Sequence, residues 1–196
     1  MTPETSDKAA DVRYAYKASL IGAAHRFELG AADGLRWHIG GKSGVWPYAG
    51  ISAVRLSYRP VSMQSHRFRA DIDGGGLGHI VVLSTSWQTA ALMAPQDNDY
   101  RVFITQLHAR MAAAGSGAVL IGGLRPGIYS AAVALLAVVA LAMIGLLVRA
   151  IATGEFAGIL FLVGFAALFG WQVGGFVRRN RPQAYRFDEL PAALLP

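Results

Sequence analysis

The sequence predicts an α+β protein in which an antiparallel β-sheet or barrel, capped by a C-terminal helix, precedes a two-helix transmembrane hairpin. Three observations predict it. Short runs of alternating apolar and polar residues, separated by turn formers, occupy His25 to Trp87. From Asp97 the apolar residues recur every three or four positions. Beyond Gly127 come two uncharged apolar runs, each of about 20 residues, the length of a membrane-spanning helix.

Residues 1–20 read as a polar lead-in, with a helix expected from Lys8 to Ala18. Strands are expected at HRFEL (His25–Leu29), LRWHIG (Leu35–Gly40), GVWPYAGISAVRLSY (Gly44–Tyr58), HRFRADI (His66–Ile72) and HIVVLSTSW (His79–Trp87). ADG, GGKSG and DGGGLG lie between them and favour turns. In DNDYRVFITQLHARMAAAG the residues Tyr100, Phe103, Ile104, Leu107 and Met111 form a helical stripe. Asp97, Asn98 or Asp99 can cap its start and Gly115 can stop it. Such a stripe needs an apolar surface, and the open end or face of the sheet supplies one. AVLIGG (Ala118–Gly123) is either a last strand or the link to Pro126.

The runs Gly127–Val148 and Phe156–Val177 contain no charged residue and no polar face. The connection RAIATGE is short, so the spans form an antiparallel hairpin with both chain ends on one side. Arg110 and Arg125 precede the first span, and Arg178, Arg179 and Arg181 follow the second, whereas the connection has one arginine and one glutamate. That bias makes Arg125, Arg178, Arg179 and Arg181 headgroup anchors and puts both ends in the cytoplasm. MTPETSDKAADVR has no apolar export region. The expected organisation is a lead-in (1–20), a cytoplasmic β domain (21–124), the hairpin (125–178) and a cytoplasmic tail (179–196). A disordered tail is the default; its Tyr185, Phe187, Leu190, Leu194 and Leu195 can also dock on the β domain, on lipid or on a partner.

The 196 residues carry a net charge of +6, and the absence of cysteine removes disulfides, zinc–thiolate sites and thiol nucleophiles. The basic balance suits an anionic membrane surface, and no nucleic-acid motif accompanies it. Histidines 25, 38, 66, 79 and 108 lack ligand spacing, so no metal is expected. Ser84, Thr85 and Ser86 lack a nucleophile elbow, and Gly74–Gly76 lacks a P-loop lysine. No cofactor and no enzymatic activity are expected.

W-x-I-G-x-x-x-G from Trp37 to Gly44 and I-x-x-V-R-L-x-Y from Ile51 to Tyr58, set in a meander followed by a helix and apolar spans, resemble bacterial pleckstrin-homology-like membrane proteins. The resemblance covers roughly residues 20–115. It implies a seven-stranded, partly open barrel with a C-terminal helix, in a bacterial cytoplasmic membrane. Between His25 and Gly44, Arg26, Arg36 and Lys42 do not follow the spacing by which eukaryotic members hold phosphoinositides.

Two features are candidate sites. In VRLSYRPVSMQSHRFRADI, alternation leaves Arg55, Arg59, Arg67 and Arg69 on one outward face with Asp71 to offset them. That face is either simply solvated or meets lipid phosphates or an acidic partner segment. In the second span, Ala166, Gly170 and Gly174 make a small-residue stripe, for the hairpin's own first helix or for another copy or complex. The expected function is a membrane-anchored adaptor or accessory subunit whose β domain binds a protein segment or lipid; the alternative is a lipid- or stress-sensing regulator.

Overall fold

Period-two alternation builds the first sheet. Strands β1 (Val12–Tyr16), β2 (His25–Leu29), β3 (Leu35–Ile39) and β4 (Lys42–Trp46) form an antiparallel meander in chain order. Tyr14, Tyr16, Phe27, Leu29, Leu35 and Trp46 are buried, while Arg13, Ala15, Arg26 and His38 are exposed on the opposite face. Strand β1 corrects the expected helix over Lys8–Ala18, because VRYAY alternates and its two tyrosines enter the core. Lys8–Ala10 lie outside the residues described by this computed structural model, which are 11–31, 34–59, 66–89 and 92–196. The ADG turn and the connection 60–65 fall partly or wholly outside them.

The long run Gly44–Tyr58 is divided rather than continuous. Pro47 follows β4, a 3-10 turn covers Tyr48–Gly50, and β5 spans Ala53–Tyr58. It pairs antiparallel with β6 (Phe68–Asp73), which pairs with β7 (His79–Leu83). Ser84 interrupts HIVVLSTSW, so β8 (Thr85–Trp87) pairs instead with β9 (Met93–Pro95). The glycine-rich loop joins β6 to β7 as a hairpin, with the Gly74 N–H donating to the Gly78 carbonyl at 2.9 Å. The hydroxyls of Tyr14 and Tyr16 donate to the carbonyls of Leu83 and Val81, so the first sheet's core side chains reach β7.

Helix α1 (Asp97–Ala113) buries Tyr100, Phe103, Ile104, Leu107, His108 and Met111, the expected stripe with one histidine added. Its N-cap is Gln96, not Asp97, Asn98 or Asp99; Asp97 and Asp99 lie in the first turn, where carboxylates favour the helix dipole. Gly115, at φ 66°, follows its end in the left-handed region. Strand β10 (Val119–Gly122) then pairs parallel with β5, so the second sheet is not wholly antiparallel.

After α3 the chain re-enters the β unit through β11 (Gln183–Ala184), the outer neighbour of β10. The Tyr185 N–H donates to the Leu120 carbonyl at 3.2 Å. Tyr185 and Phe187 pack on the His108 ring, Leu194 is fully buried, and the last turn, Ala192–Leu194, lies against β5. The tail is a docked strap, which replaces the default of disorder. One β unit is therefore made from residues up to Gly122 together with Ala184–Pro196.

The helical unit, Gly123–Gln183, holds α2 (Pro126–Thr153) and α3 (Phe156–Arg179). Over 28 and 24 residues, and with 18-residue stretches of mean hydropathy 2.9 and 2.0, both are long and apolar enough to cross a membrane. Only Gly154 and Glu155 connect them, because RAIAT continues α2 and the Thr153 hydroxyl donates back to the Arg149 carbonyl at 3.0 Å. At the other end the Leu124 N–H donates to the Asn180 carbonyl at 3.0 Å. The two feet of the hairpin are thus in backbone contact.

Candidate functional site

The arginine ribbon adopts the expected alternation but not the expected openness. Val54, Leu56, Tyr58, Phe68, Ala70 and Ile72 are all buried on one face. On the other, Arg69 grips Asp71 with both arms of its guanidinium, Nε to Oδ2 at 2.8 Å and Nη2 to Oδ1, and this hydrogen bonding holds its charge more firmly. Asp71 also receives His79 Nε2 at 3.1 Å. Arg67 donates from Nε to Thr85 Oγ1 at 2.9 Å and from Nη2 to the Met93 sulfur at 2.8 Å, and burial pushes its pKa down. Arg55 lies opposite Asp71 in the register, yet among the described residues its Nη1 is buried without a partner, as is the Ser57 hydroxyl two residues on. Of the four, only Arg59 is exposed. Two of the four arginines, Arg67 and Arg69, are therefore spent on the fold, and the strap's last turn lies against the strand that carries Arg55 and Ser57.

The strap is held by a clasp absent from the expectations. His108 Nδ1 lies 2.7 Å from the Ile104 carbonyl, which can only accept, so Nδ1 carries the proton of the neutral ring. Nε2 is left to accept from the Tyr185 hydroxyl at 2.9 Å. Burial lowers the His108 pKa and raises that of Tyr185, so both partners stay neutral. The i, i+4 position of His108 on the α1 stripe was the available signal, since Ile104 and Met111 bracket it on a buried face.

The hydroxyl run is structural. The Ser84 hydroxyl accepts the Phe68 N–H at 2.9 Å, and its carbonyl accepts the Gln96 N–H at 2.8 Å, which ties the β7–β8 corner to the start of α1. His25 and His79 begin β2 and β7 as rim residues, and His66 stands two residues before β6.

In the helical unit, Arg125 is the N-cap of α2, Arg178 and Arg179 end α3, and Arg181 follows, so the four expected anchors gather at the feet. Arg178 and Arg179 favour the dipole of α3; Arg125 opposes that of α2, so helix stability does not account for it. The stripe Ala166, Gly170, Gly174 lines an apolar groove between α2 and α3. A Cβ on Gly170 or Gly174 would meet nothing within 4 Å, so the glycines do not bring the two helices close.

A second basic face, missed in the sequence, lies on the outward side of the first sheet. Arg13, Arg26, Arg36 and His38 surround Ala15, with Glu28 among them. Comparison with protein families, curated proteins and solved structures finds no match to the chain. Its class rests on architecture: an α+β protein of mainly antiparallel sheets with two C-terminal helices long and apolar enough to span a membrane.

Proposed function

We propose that this protein is a membrane-anchored, non-enzymatic adaptor or accessory subunit of a bacterial cytoplasmic membrane, whose β unit binds a protein segment or the lipid surface. The observation that carries the reading is the return of the tail. One β unit takes strands from before the apolar hairpin and a buried strap from after it, so a hairpin that crosses the bilayer must enter and leave on the same side. Arg125, Arg178, Arg179 and Arg181 gather at that end, and the positive bias assigns it to the cytoplasm. The order of a four-stranded meander, three further antiparallel strands and a packed helix supports a pleckstrin-homology-like reading of the β unit, with β10 and the strap as additions.

The exposed cations of the first sheet favour one second reading, a regulator that responds to anionic lipid. The test is purification of the full chain from native membranes. Resistance to alkaline carbonate and recovery of a partner at equal stoichiometry are expected for a subunit. Resistance without a partner, combined with dependence on anionic lipid, moves the reading to the regulator. Release by carbonate refutes anchoring.

A further inference from the structure

The outward face of the first sheet holds positive charge that the fold does not consume. Register aligns Arg13, Glu28 and Arg36 in one row across β1–β3, and Ala15, Arg26 and His38 in the next. Glu28 lies 3.4 Å from Arg13 and 3.9 Å from Arg36, both longer than a charge-assisted hydrogen bond. Arg26 and His38 are exposed and have no hydrogen-bond or ion-pair partner among the described residues. Arg26 therefore carries a positive charge that no described residue offsets, beside Arg13, which reaches Glu28 only at 3.4 Å. The short side chain of Ala15 lets the longer ones wall an open depression of about 560 Å³, within the range of small-ligand sites.

We infer that this depression receives the phosphate of an anionic lipid headgroup. The inference rests on the reading of α2 and α3 as membrane-spanning. Guanidinium forks match phosphate oxygens, and three of them around a small residue leave room for a tetrahedral group that a flat row of long side chains would exclude. Glu28, between Arg13 and Arg36, restrains both without cancelling the face. A lipid is favoured over an acidic protein segment because only short links, Gly123–Arg125 and Asn180–Gln183, separate the β unit from the two helices. A bilayer that holds those helices is therefore present at high effective concentration, whereas a protein segment must be supplied.

The chain has no cysteine, so Ser43→Cys, beside His38 on the exposed face of β4, gives a single labelling site in the full-length protein. A fluorescent donor there is read against acceptors on headgroups, in nanodiscs of phosphatidylcholine alone or mixed with phosphatidylglycerol. Energy transfer is expected to rise with phosphatidylglycerol and to fall again with salt, since exposed charges are screened beyond about 10 Å at 0.1 M. Each of Arg13→Gln, Arg26→Gln and Arg36→Gln should lower the ratio of docked to undocked protein about fivefold, and all three together roughly 100-fold. Arg59→Gln should leave it unchanged. Equal transfer in the two lipids overturns the site, as does a triple variant that still folds and still responds. A response to polyglutamate in neutral nanodiscs, with none to phosphatidylglycerol, overturns it in favour of an acidic protein segment. Carbonate extraction of the same preparations separates the two failures. Release overturns the membrane reading and this site together, while retention with no lipid response overturns only the site.

Discussion

His108 Nε2 and the Tyr185 hydroxyl, 2.9 Å apart, join two positions separated by 77 residues and by both apolar helices. The ring has no second choice of tautomer while Nδ1 donates to Ile104, so removing the Tyr185 hydroxyl leaves a buried acceptor unpaired. Tyr185→Phe is expected to cost about 1–3 kcal/mol, read as a lower unfolding midpoint of the full chain in detergent. Tyr185→Ala should cost more, because the ring contact with His108 goes as well. An unchanged midpoint in Tyr185→Phe would show that the strap is not clasped here.

The same histidine gives the stability a pH dependence. Burial holds the imidazoles of His108 and His25 below their ordinary range. As the pH falls below about 6.5, the unfolded chain takes up protons that the folded chain refuses, so stability is full above that pH and declines below it. The midpoint should be flat from about pH 8 to 7 and drop between about pH 6.5 and 5, by at most about 1.4 kcal/mol per pH unit for His108 and by less for the more exposed His25. His108→Gln should be less stable at neutral pH and show a shallower decline. A slope identical to that of the parent protein would count against His108 as its source.

Asp71 separates the structural arginines of the ribbon from the exposed one. Its carboxylate is 15% exposed and serves both Arg69 and His79. Asp71→Asn is expected to cost about 1–3 kcal/mol in chemical denaturation, whereas Arg59→Gln, on the exposed side, should stay within about 0.5 kcal/mol. Charge reversal at Arg67 or Arg69 will therefore weaken the fold before it reports on any ligand. If Asp71→Asn proves as mild as Arg59→Gln, the ribbon is a solvated face after all.

What the sequence made legible follows from periodicity. Strands with one buried face and the α1 stripe repeat at two and at three to four residues, and HRFEL coincides with β2 while Tyr100, Phe103, Ile104, Leu107 and Met111 are all buried. Features that depend on contacts distant in the chain were hidden. VRYAY is too short and too polar to announce a core strand until Tyr14 and Tyr16 meet β7. Nothing local in YRFDELPAALLP says that it will find His108 and β5. Arginine spacing gave the ribbon its alternation but could not show that Asp71, Thr85 and Met93 occupy the guanidinium donors of Arg69 and Arg67. The face of Arg13, Arg26 and Arg36 was missed for the converse reason: its members come from three strands, the first of which was read as helix.

The glycine stripe of α3 distinguishes packing within the hairpin from packing against another chain. Because a Cβ at Gly170 or Gly174 meets nothing within 4 Å, Gly170→Ala and Gly174→Ala should leave the unfolding stability within about 0.5 kcal/mol of the parent. If the groove receives a helix from another copy or a partner, Gly170→Leu and Gly174→Leu should abolish crosslinking to it in native membranes, since close approach needs small residues. Loss of stability in the isolated protein would instead assign the stripe to the hairpin's own contact.

Gly123 is the position where the feet of the hairpin leave least room. Its φ of 85° lies in the left-handed region, and a Cβ there would run into the carbonyl oxygens of both Asn180 and Arg181. Gly123→Ala therefore meets two obstacles at once, a backbone conformation costing about 1–2 kcal/mol for an L-residue and a clash with backbone that cannot rotate aside. The Leu124 N–H bond to the Asn180 carbonyl should break as the feet separate. The measurable outcome is faster proteolysis and amide exchange around residues 122–125 and 179–184 in the reconstituted protein. Gly40→Ala is the comparison, since its φ of 57° carries a similar backbone cost but a Cβ there meets nothing within 4 Å. Gly123→Ala should open the feet where Gly40→Ala does not; equal exchange in the two would mean that backbone strain alone, without the clash, sets the effect.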